Sequence, residues 1–197
     1  MAQAPLGIGY GKNASGTFAP MSLDNDGALI VSQGEANTFL AANPSGVTTS
    51  AGLATTYVGI CLSNPAGSGV NLILRRVAGQ FIVAPAAVTG FNLITGYLAA
   101  GVTTHTTPLT PFSRIIGTGP TPKGLVDSAC TLVGTPVYTM ALGETLLATD
   151  LPAFNTDLEG VITLPPGAYA AIGTTIAGPA SGFQGSFQWE EAVGAQT

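Results

Sequence analysis

The chain has 197 residues, of which 46% are hydrophobic and only 8% are charged, against about 25% charged residues in an ordinary soluble domain. Its 10 acidic and 5 basic side chains give a net charge of −5, so the sequence holds no basic stripe that could follow a nucleic acid backbone or an anionic membrane. A free monomer needs a charged surface to stay dispersed. This composition therefore predicts that much of the surface is buried against other subunits.

Targeting signals and cysteines bear on the compartment. The N-terminus lacks a basic segment followed by a continuous apolar core, and no apolar run reaches the roughly 18 residues of a membrane-spanning helix. We therefore expect a protein that is made and kept in a cytosol. Cys61 and Cys130 each lie in an apolar run. In a reducing compartment this predicts small buried core residues and neither a disulfide nor a reactive thiol.

Residues 1–34 are predicted to form an extended N-terminal arm with one short strand. The first 22 residues are rich in glycine and proline and show no sustained periodicity, which is typical of a segment ordered only by what it lies against. Residues 24–27 (DNDG) predict a turn, and residues 28–32 predict the strand. The alternating aspartates of the turn resemble the start of an EF-hand loop, but the later ligands of that loop are missing.

The remaining chain divides into three parts. Residues 35–53 are small, polar and rich in Ser and Thr, and predict a surface loop; residues 54–193 predict a β-sandwich domain, and residues 194–197 a C-terminal tail. Strands are expected at 55–62 and 70–83, joined by a hairpin connection at 64–69. Residues 138–147 leave room for one short helix.

Arg75 and Arg76 lie in the middle of the second of these strands. Adjacent residues of a regular strand face opposite ways, so we expect one arginine to point inward or into an interface and the other outward. Two interpretations stay open. One arginine pairs with a carboxylate such as Asp157 or Glu159 of the same chain, or the arginines form an intersubunit salt bridge.

The end of the chain has the clearest pattern. Residues 160–164 and 168–172 predict two strands joined by a Pro-Pro-Gly turn. From residue 183 to 190, apolar and polar residues alternate, which predicts a half-buried strand whose core side chains are Phe183, Phe187 and Trp189. Many short strands separated by Gly/Pro turns predict an all-β protein, a jelly-roll-like antiparallel β-sandwich with an extended N-terminal arm.

Candidate chemistry is sparse. The single histidine, His105, lies among threonines and is expected in an exposed loop, and no Gly-x-Ser-x-Gly motif accompanies it. The glycines of residues 7–12 lack the Ser or Thr of a phosphate-binding loop. Glu190 and Glu191 are neighbours on a strand and therefore diverge, and we interpret them as a solvated strand end. The sequence thus predicts no enzyme, no cofactor and no metal site.

Several segments together resemble a group of tailed-bacteriophage virion structural proteins. They are residues 62–72 (LSNPAGSGVNL), 105–111 (HTTPLTP), 124–128 (GLVDS) and, above all, 157–191 with its LPPGAY and SFQWEE motifs. The resemblance covers about residues 55–193 and extends to the arm. It implies a structural part of a phage particle, without assigned catalytic or ligand residues.

The first hypothesis is a capsid cement or decoration protein that forms homo-oligomers, trimers in particular, on the outside of the head. Its partners would be other copies and the major capsid protein, with no nucleic acid or membrane, and its location the virion, assembled in the host cytoplasm. Tyr10, Lys12 and Phe18 of the arm, with Arg75 and Arg76, are the predicted interaction residues.

Two alternatives stay open. One is a subunit of the neck, collar or a tail appendage. The other is a receptor- or glycan-binding module, in which sugar faces would stack on exposed rings from the set Tyr57, Tyr97, Tyr138 and Tyr169.

Overall fold

In a computed structural model, the structure describes residues 37–98 and 104–193, and only the backbone of residues 10–12 and 18–20. All regular elements of this part are strands, and no α-helix occurs in it. They are β1 (Tyr10–Lys12), β2 (Phe18–Pro20), β3 (Thr38–Ala42), β4 (Thr56–Ser63), β5 (Val70–Phe81), β6 (Gly90–Tyr97), β7 (Thr104–Leu109), β8 (Phe112–Ser113), β9 (Leu125–Thr131), β10 (Val137–Glu144), β11 (Ala153–Leu164), β12 (Ala168–Thr174) and β13 (Phe183–Val193).

The N-terminal strands belong to a unit of their own. β1 and β2 pair antiparallel, with Tyr10 opposite Pro20 and Lys12 opposite Phe18, and the chain divides into this N-terminal unit and a second unit of residues 34–194. The first part of the predicted arm thus contains a short two-stranded ladder. The predicted turn at 24–27 and strand at 28–32 lie outside the described residues.

Four antiparallel strand pairs form the frame of the second unit: β3 with β13, β4 with β12, β5 with β11, and β6 with β10. Most consecutive frame strands lie in opposite sheets. One sheet has the order β11-β5-β13-β3-β8 and the other β10-β6-β12-β4-β9-β7. This arrangement is a jelly roll of two packed sheets, so the predicted all-β jelly-roll-like sandwich is confirmed.

An insertion between β6 and β10 extends both sheets. Its strands β9 and β7 add to the six-stranded sheet beyond β4, while the two-residue strand β8 adds to the five-stranded sheet beyond β3. The insertion therefore lies at one side of the sandwich, although β6 and β10, the strands it connects, lie at the other.

The core between the sheets follows from strand alternation. In β13 the side chains of Phe183, Phe187 and Trp189 are buried, as predicted, while Gln184, Ser186 and Gln188 at the other parity are partly exposed. Phe39, Phe81, Phe91 and Phe154 join them; rings of Phe81 and Phe183 meet edge to face with centroids 5.9 Å apart.

Two predicted elements are wrong. Residues 35–53 were predicted to form a loop, but β3 lies there and pairs with β13, because the short run 38–42 has one buried face despite its polar flanks. The sequence leaves room for a short helix at residues 138–147, but residues 137–144 form β10, which pairs along its length with β6. The sandwich therefore begins at β3 and not at residue 54.

Candidate functional site

Arg75 and Arg76 both lie on the outer face of the five-stranded sheet. The register with β13 pairs Leu74 with Trp189 and Arg76 with Gln188, and leaves Arg75 without an opposite residue. Such an extra residue is a β-bulge, which interrupts the alternation of side chains. The prediction that the two arginines face opposite ways is therefore wrong.

Both arginines pair with carboxylates on this face. Arg75 forms an ion pair with Glu190, and the Arg76 guanidinium lies 3.5 Å from Asp157. The partner predicted at Asp157 is thus confirmed, whereas the intersubunit salt bridge stays a prediction. The Glu159 N–H donates to the Asp157 carboxylate at 3.0 Å, and this bond, followed by Arg76, lowers the pKa of Asp157.

The same face carries a shallow groove of about 290 Å³. Its floor contains the small residues Ala42, Ala78 and Ser186, which stand opposite one another on three adjacent strands. On one side Gln80 donates to Gln184 at 3.0 Å. We call this outer face the polar face. Its amides offer hydrogen-bonding groups, and its charges are paired, so it is close to neutral.

The outer face of the six-stranded sheet is different, because two tyrosines lie flat on glycine backbone there. A side chain at Gly59 would come within 2.3 Å of the Tyr57 hydroxyl, and one at Gly96 within 2.3 Å of the Tyr169 hydroxyl. The Tyr57 hydroxyl donates to the Ile172 carbonyl at 2.6 Å and accepts from the Ile60 N–H at 3.0 Å. The Tyr169 hydroxyl is buried without a hydrogen-bond partner. Burial raises the pKa of both tyrosines.

A strap of residues 132–136 crosses this face. It connects β9 to β10, which lie on opposite sides of β4, β12 and β6. The Leu132 N–H donates to the Thr55 carbonyl at the start of β4, and Gly134 lies against the Tyr97 carbonyl at the end of β6. Since β4 and β6 run in the same direction, the strap crosses diagonally. Leu132 packs into a second buried cluster with the two tyrosines, Cys61, Ile94, Cys130 and Ala171.

The predicted burial of the cysteines is confirmed. Cys61 and Cys130 are both free thiols and both buried in this second cluster. Burial is the largest cause that raises the pKa of Cys61, which keeps the thiol protonated and a poor nucleophile.

His105 is exposed as predicted, but it lies in a strand, so the predicted loop is wrong. It lies in the edge strand β7, and its Nδ1 is 2.5 Å from an oxygen of Asp127 on β9, whose other oxygen is buried without a partner. Burial raises the pKa of Asp127, and the contact with His105 lowers it in part. An acidic residue inside the apolar run GLVDSACTLV was the sequence signal for this pair.

The same region of the sheet holds both cysteines. Cys130 stands opposite His105 in the ladder and Cys61 opposite Asp127, so a thiol, an imidazole and a carboxylate share one region. However, both thiols are buried. We interpret the arrangement as structural.

Glu191 is buried, so the predicted solvated strand end is wrong for this residue. Its carboxylate accepts from the backbone N–H groups of Lys123 and Gly124, each at 2.8 Å, and from the Trp189 indole at 3.2 Å. These donors satisfy the buried charge. Glu191 thereby fixes the start of β9 to β13, while Glu190 points to the polar face as expected from divergence.

Three loops meet at one end of the sandwich. They are residues 82–89, 145–152 and 175–182, with the sequences IVAPAAVT, TLLATDLP and TIAGPASG. Backbone bonds tie the first to each of the others, from Ile82 to Gly182 and between Thr89 and Thr145. Six large aliphatic side chains are exposed here, on Ile82, Val83, Val88, Leu146, Leu147 and Leu151. We call this surface the apolar end.

The aromatic residues proposed as sugar platforms separate into two pairs. Tyr57 and Tyr169 are buried and cannot stack on a ligand, so that part of the prediction is wrong. Tyr97 and Tyr138 are 57% and 44% exposed. Tyr97 also lines a groove of about 350 Å³ between β10 and β11, together with the threonines 95, 135, 139 and 163.

The predicted interaction residues of the arm are only partly placed. The backbones of Tyr10, Lys12 and Phe18 lie in β1 and β2, and the contacts predicted for their side chains stay predictions. Within residues 37–98 and 104–193, no three His, Cys, Asp or Glu side chains are arranged to hold a metal ion. The described part of the chain also holds no helix long and apolar enough to cross a membrane.

Comparison with known proteins gave no match: no family model, curated protein or solved structure resembles the chain closely enough to be matched.

Proposed function

We propose that the protein is a structural component of a tailed-phage particle, a cement or decoration protein bound to the outside of the head. The observation that carries this proposal is the apolar end, where three loops joined by backbone hydrogen bonds expose six large aliphatic side chains, because exposed apolar surface of this kind favours a covering partner. The resemblance of residues 55–193 to phage virion proteins supports the same class. Jelly rolls serve viral capsids and lectins alike, so the fold by itself does not choose.

In this role the sandwich is a rigid body held by symmetric neighbours. The protein would form homo-oligomers, trimers in the version that we favour, and bridge adjacent major capsid subunits against the pressure of the packaged DNA. The arm with Tyr10, Lys12 and Phe18 would order on the capsid surface. That ordering costs roughly 1–2 kcal/mol per residue, which the arm contacts must outweigh. No cofactor, nucleic acid or membrane is required.

The test is the copy number of the chain in purified virions, measured by quantitative mass spectrometry against the major capsid protein. We expect hundreds of copies per particle, as a shell-covering protein requires. A few copies to a few tens would contradict the cement role and support a neck, collar or tail-appendage subunit. Heads lacking the protein should be less stable to heat and to low salt, and unchanged stability would also contradict the proposal.

A second candidate, a glycan-binding module, rests on the Tyr97 groove. An exposed ring beside threonine hydroxyls can stack on a sugar face and bond its hydroxyl groups. Saturable binding of the purified protein to host envelope, lost in Tyr97→Ala but kept in Tyr138→Ala, would support it. Absence of saturable binding would remove it.

A further inference from the structure

One edge of the five-stranded sheet is basic and apolar. It consists of β8 and the loop that follows it, residues 114–123, and we call it the basic edge. The loop contains Arg114 and Lys123 and no acidic residue. Phe112 and Ile116 are 63% and 88% exposed. The basic edge therefore combines positive charge with exposed apolar side chains.

Hydrogen bonds hold both ends of this loop in place before any partner binds. The Arg114 N–H donates to the Thr38 carbonyl of β3 at 2.8 Å. At the other end the Lys123 N–H donates to the buried Glu191 carboxylate of β13, also at 2.8 Å. A loop fixed in this way loses less entropy on binding than a mobile one.

The opposite edge of the same sheet, β11, carries an excess of negative charge. Residues 158–161 form a bulge, because these four residues stand opposite the single residue Arg75. The ion pairs of the polar face occupy both of its arginines, so the exposed Glu159 of the bulge has no ion-pair partner in the described part of the chain. Val161 beside it is 78% exposed. We call residues 157–161 the acidic edge.

The two edges lie at the same height along the strands. One row of the ladder crosses all five strands and joins the edges through Phe112, Leu40, Gln188, Arg76 and Asp157. A contact between two different patches closes into a ring when rotation alone relates successive copies, and gives an open filament when it does not. Edges of equal height therefore favour a closed ring whose axis runs along the strands.

Charge selects how two copies meet. Each copy carries a net charge of −5, so association requires a contact in which opposite charges face each other. The basic edge of one copy and the acidic edge of the next provide it, since Lys123, like Glu159, has no ion-pair partner among the described residues. The same contact buries Ile116 against Val161. A strand of two residues and a bulge do not continue a ladder, so side chains make this contact.

We propose that copies of this chain associate head to tail, with the basic edge of one copy against the acidic edge of the next, and close into a ring. The inference rests on the homo-oligomer of the proposed function and names its interface. The apolar end then stays available for the capsid, the other partner of that proposal.

The first test compares variants of the full chain by sedimentation equilibrium over about a hundredfold range of concentration. We expect the wild-type chain to associate, and Ile116→Ser and Val161→Ser each to weaken association by about tenfold or more. The matched control is Leu146→Ser, since Leu146 is 79% exposed but lies at the apolar end. It should associate like the wild type. Circular dichroism checks that each variant folds.

Mixing the two weakened variants tests the head-to-tail arrangement. Ile116→Ser keeps an intact acidic edge and Val161→Ser keeps an intact basic edge. An equimolar mixture should therefore form dimers with one intact contact, at concentrations where each variant alone stays monomeric. A contact between identical patches would show no such recovery.

A charge exchange tests the ion pair. Lys123→Glu and Glu159→Lys should each weaken association by about threefold. The chain with both substitutions keeps the net charge of −5 and should associate like the wild type. Glu144→Lys, at the end of β10 and outside both edges, changes the net charge as Glu159→Lys does and should not weaken association.

Four results would overturn the inference. They are a monomeric wild-type chain at every concentration, unchanged association of Ile116→Ser and Val161→Ser, equal weakening by Leu146→Ser, and a lack of recovery in the mixture and in the charge-exchanged chain.

The outcome is separable from the proposed function. Hundreds of copies on heads together with a monomeric free chain would remove this interface and leave the cement role. Association in solution together with absence from heads would do the opposite.

Discussion

The two outer faces of the jelly roll differ although the strands beneath them share one core. The outer face of the five-stranded sheet carries ion pairs and amides, whereas that of the six-stranded sheet is a second buried cluster under the strap. The strands show the same contrast. β13 alternates buried and partly exposed residues, but every residue of β12 is buried.

This contrast teaches that coverage, and not the sandwich itself, decides what an outer face is made of. In a sheet covered on one face, apolar and polar residues alternate along each strand, whereas the strands of a sheet covered on both faces are continuous apolar runs. The strap that covers β12 exists because the chain must cross from β9, at one side of the six-stranded sheet, to β10 at its other side. The buried face therefore contributes to stability, and the polar face is free to contribute to recognition.

The largest expected effect tests whether the covered face is a true second core. Tyr57→Ala should lower the free energy of unfolding by about 3–5 kcal/mol, because it removes a buried ring and leaves the Ile60 N–H without its acceptor. Urea denaturation measures this change in the free energy of unfolding. Tyr138→Ala, a truncation of an exposed ring on the same sheet, should cost less than about 1 kcal/mol. Equal losses would mean that the strap does not seal the face.

A smaller effect separates the two buried tyrosines. Tyr57→Phe should cost about 1–3 kcal/mol, since the hydroxyl bonds two buried backbone groups. Tyr169→Phe should be neutral or stabilising, because the hydroxyl that it removes has no partner. Thermal unfolding compares the two variants, and a larger loss at Tyr169 would contradict the hydrogen-bond assignment.

The third prediction concerns pH and has opposite signs on the two faces. The folded pKa of Asp127 lies above its unfolded value, so its contribution is full below about pH 4 and is lost as pH rises through the folded pKa. Asp127→Asn does not lose this stability. The loss in the wild type is about 1.4 kcal/mol for each unit by which the folded pKa exceeds the unfolded pKa. The stability of Asp127→Asn relative to the wild type should therefore rise with pH.

For Asp157 the folded pKa lies below the unfolded value, so its contribution is present above about pH 4 and is lost as pH falls. The stability of Asp157→Asn relative to the wild type should consequently fall with rising pH. Unfolding curves from pH 3 upward give both trends. Slopes of the same sign would contradict the contrast between the faces.

The smallest effect is expected on the polar face. Gln184→Ala removes one exposed hydrogen bond, to Gln80, and should change the free energy of unfolding by less than about 0.5 kcal/mol. Chemical denaturation with the wild type as reference is sufficient. A loss of 2 kcal/mol or more, roughly the size of a core truncation, would show that the amide pair stabilises the fold.

The sequence predicted the closing part of the fold well because its signals are local. Alternation around Phe187 and the Pro-Pro-Gly turn each depend on neighbours a few residues away. The strand β3 escaped prediction because five residues between polar flanks give little periodicity. Of the candidate site, the Arg76–Asp157 pair was predicted. The shared face of the two arginines was not, because a bulge is set by the register with β13.

By itself the sequence determined the class of the protein: a poorly charged all-β chain with an aromatic core on β13, since composition and period-two patterning are properties of the residues alone. The tertiary structure decided which residues distant in sequence are neighbours in space. Only the closed sandwich brings His105 to Asp127, lays Tyr57 and Tyr169 under the strap, and joins three uncharged loops into one apolar end. Those loops are up to about a hundred residues apart, and their proximity follows from the pairing of the frame strands, which no local pattern specifies.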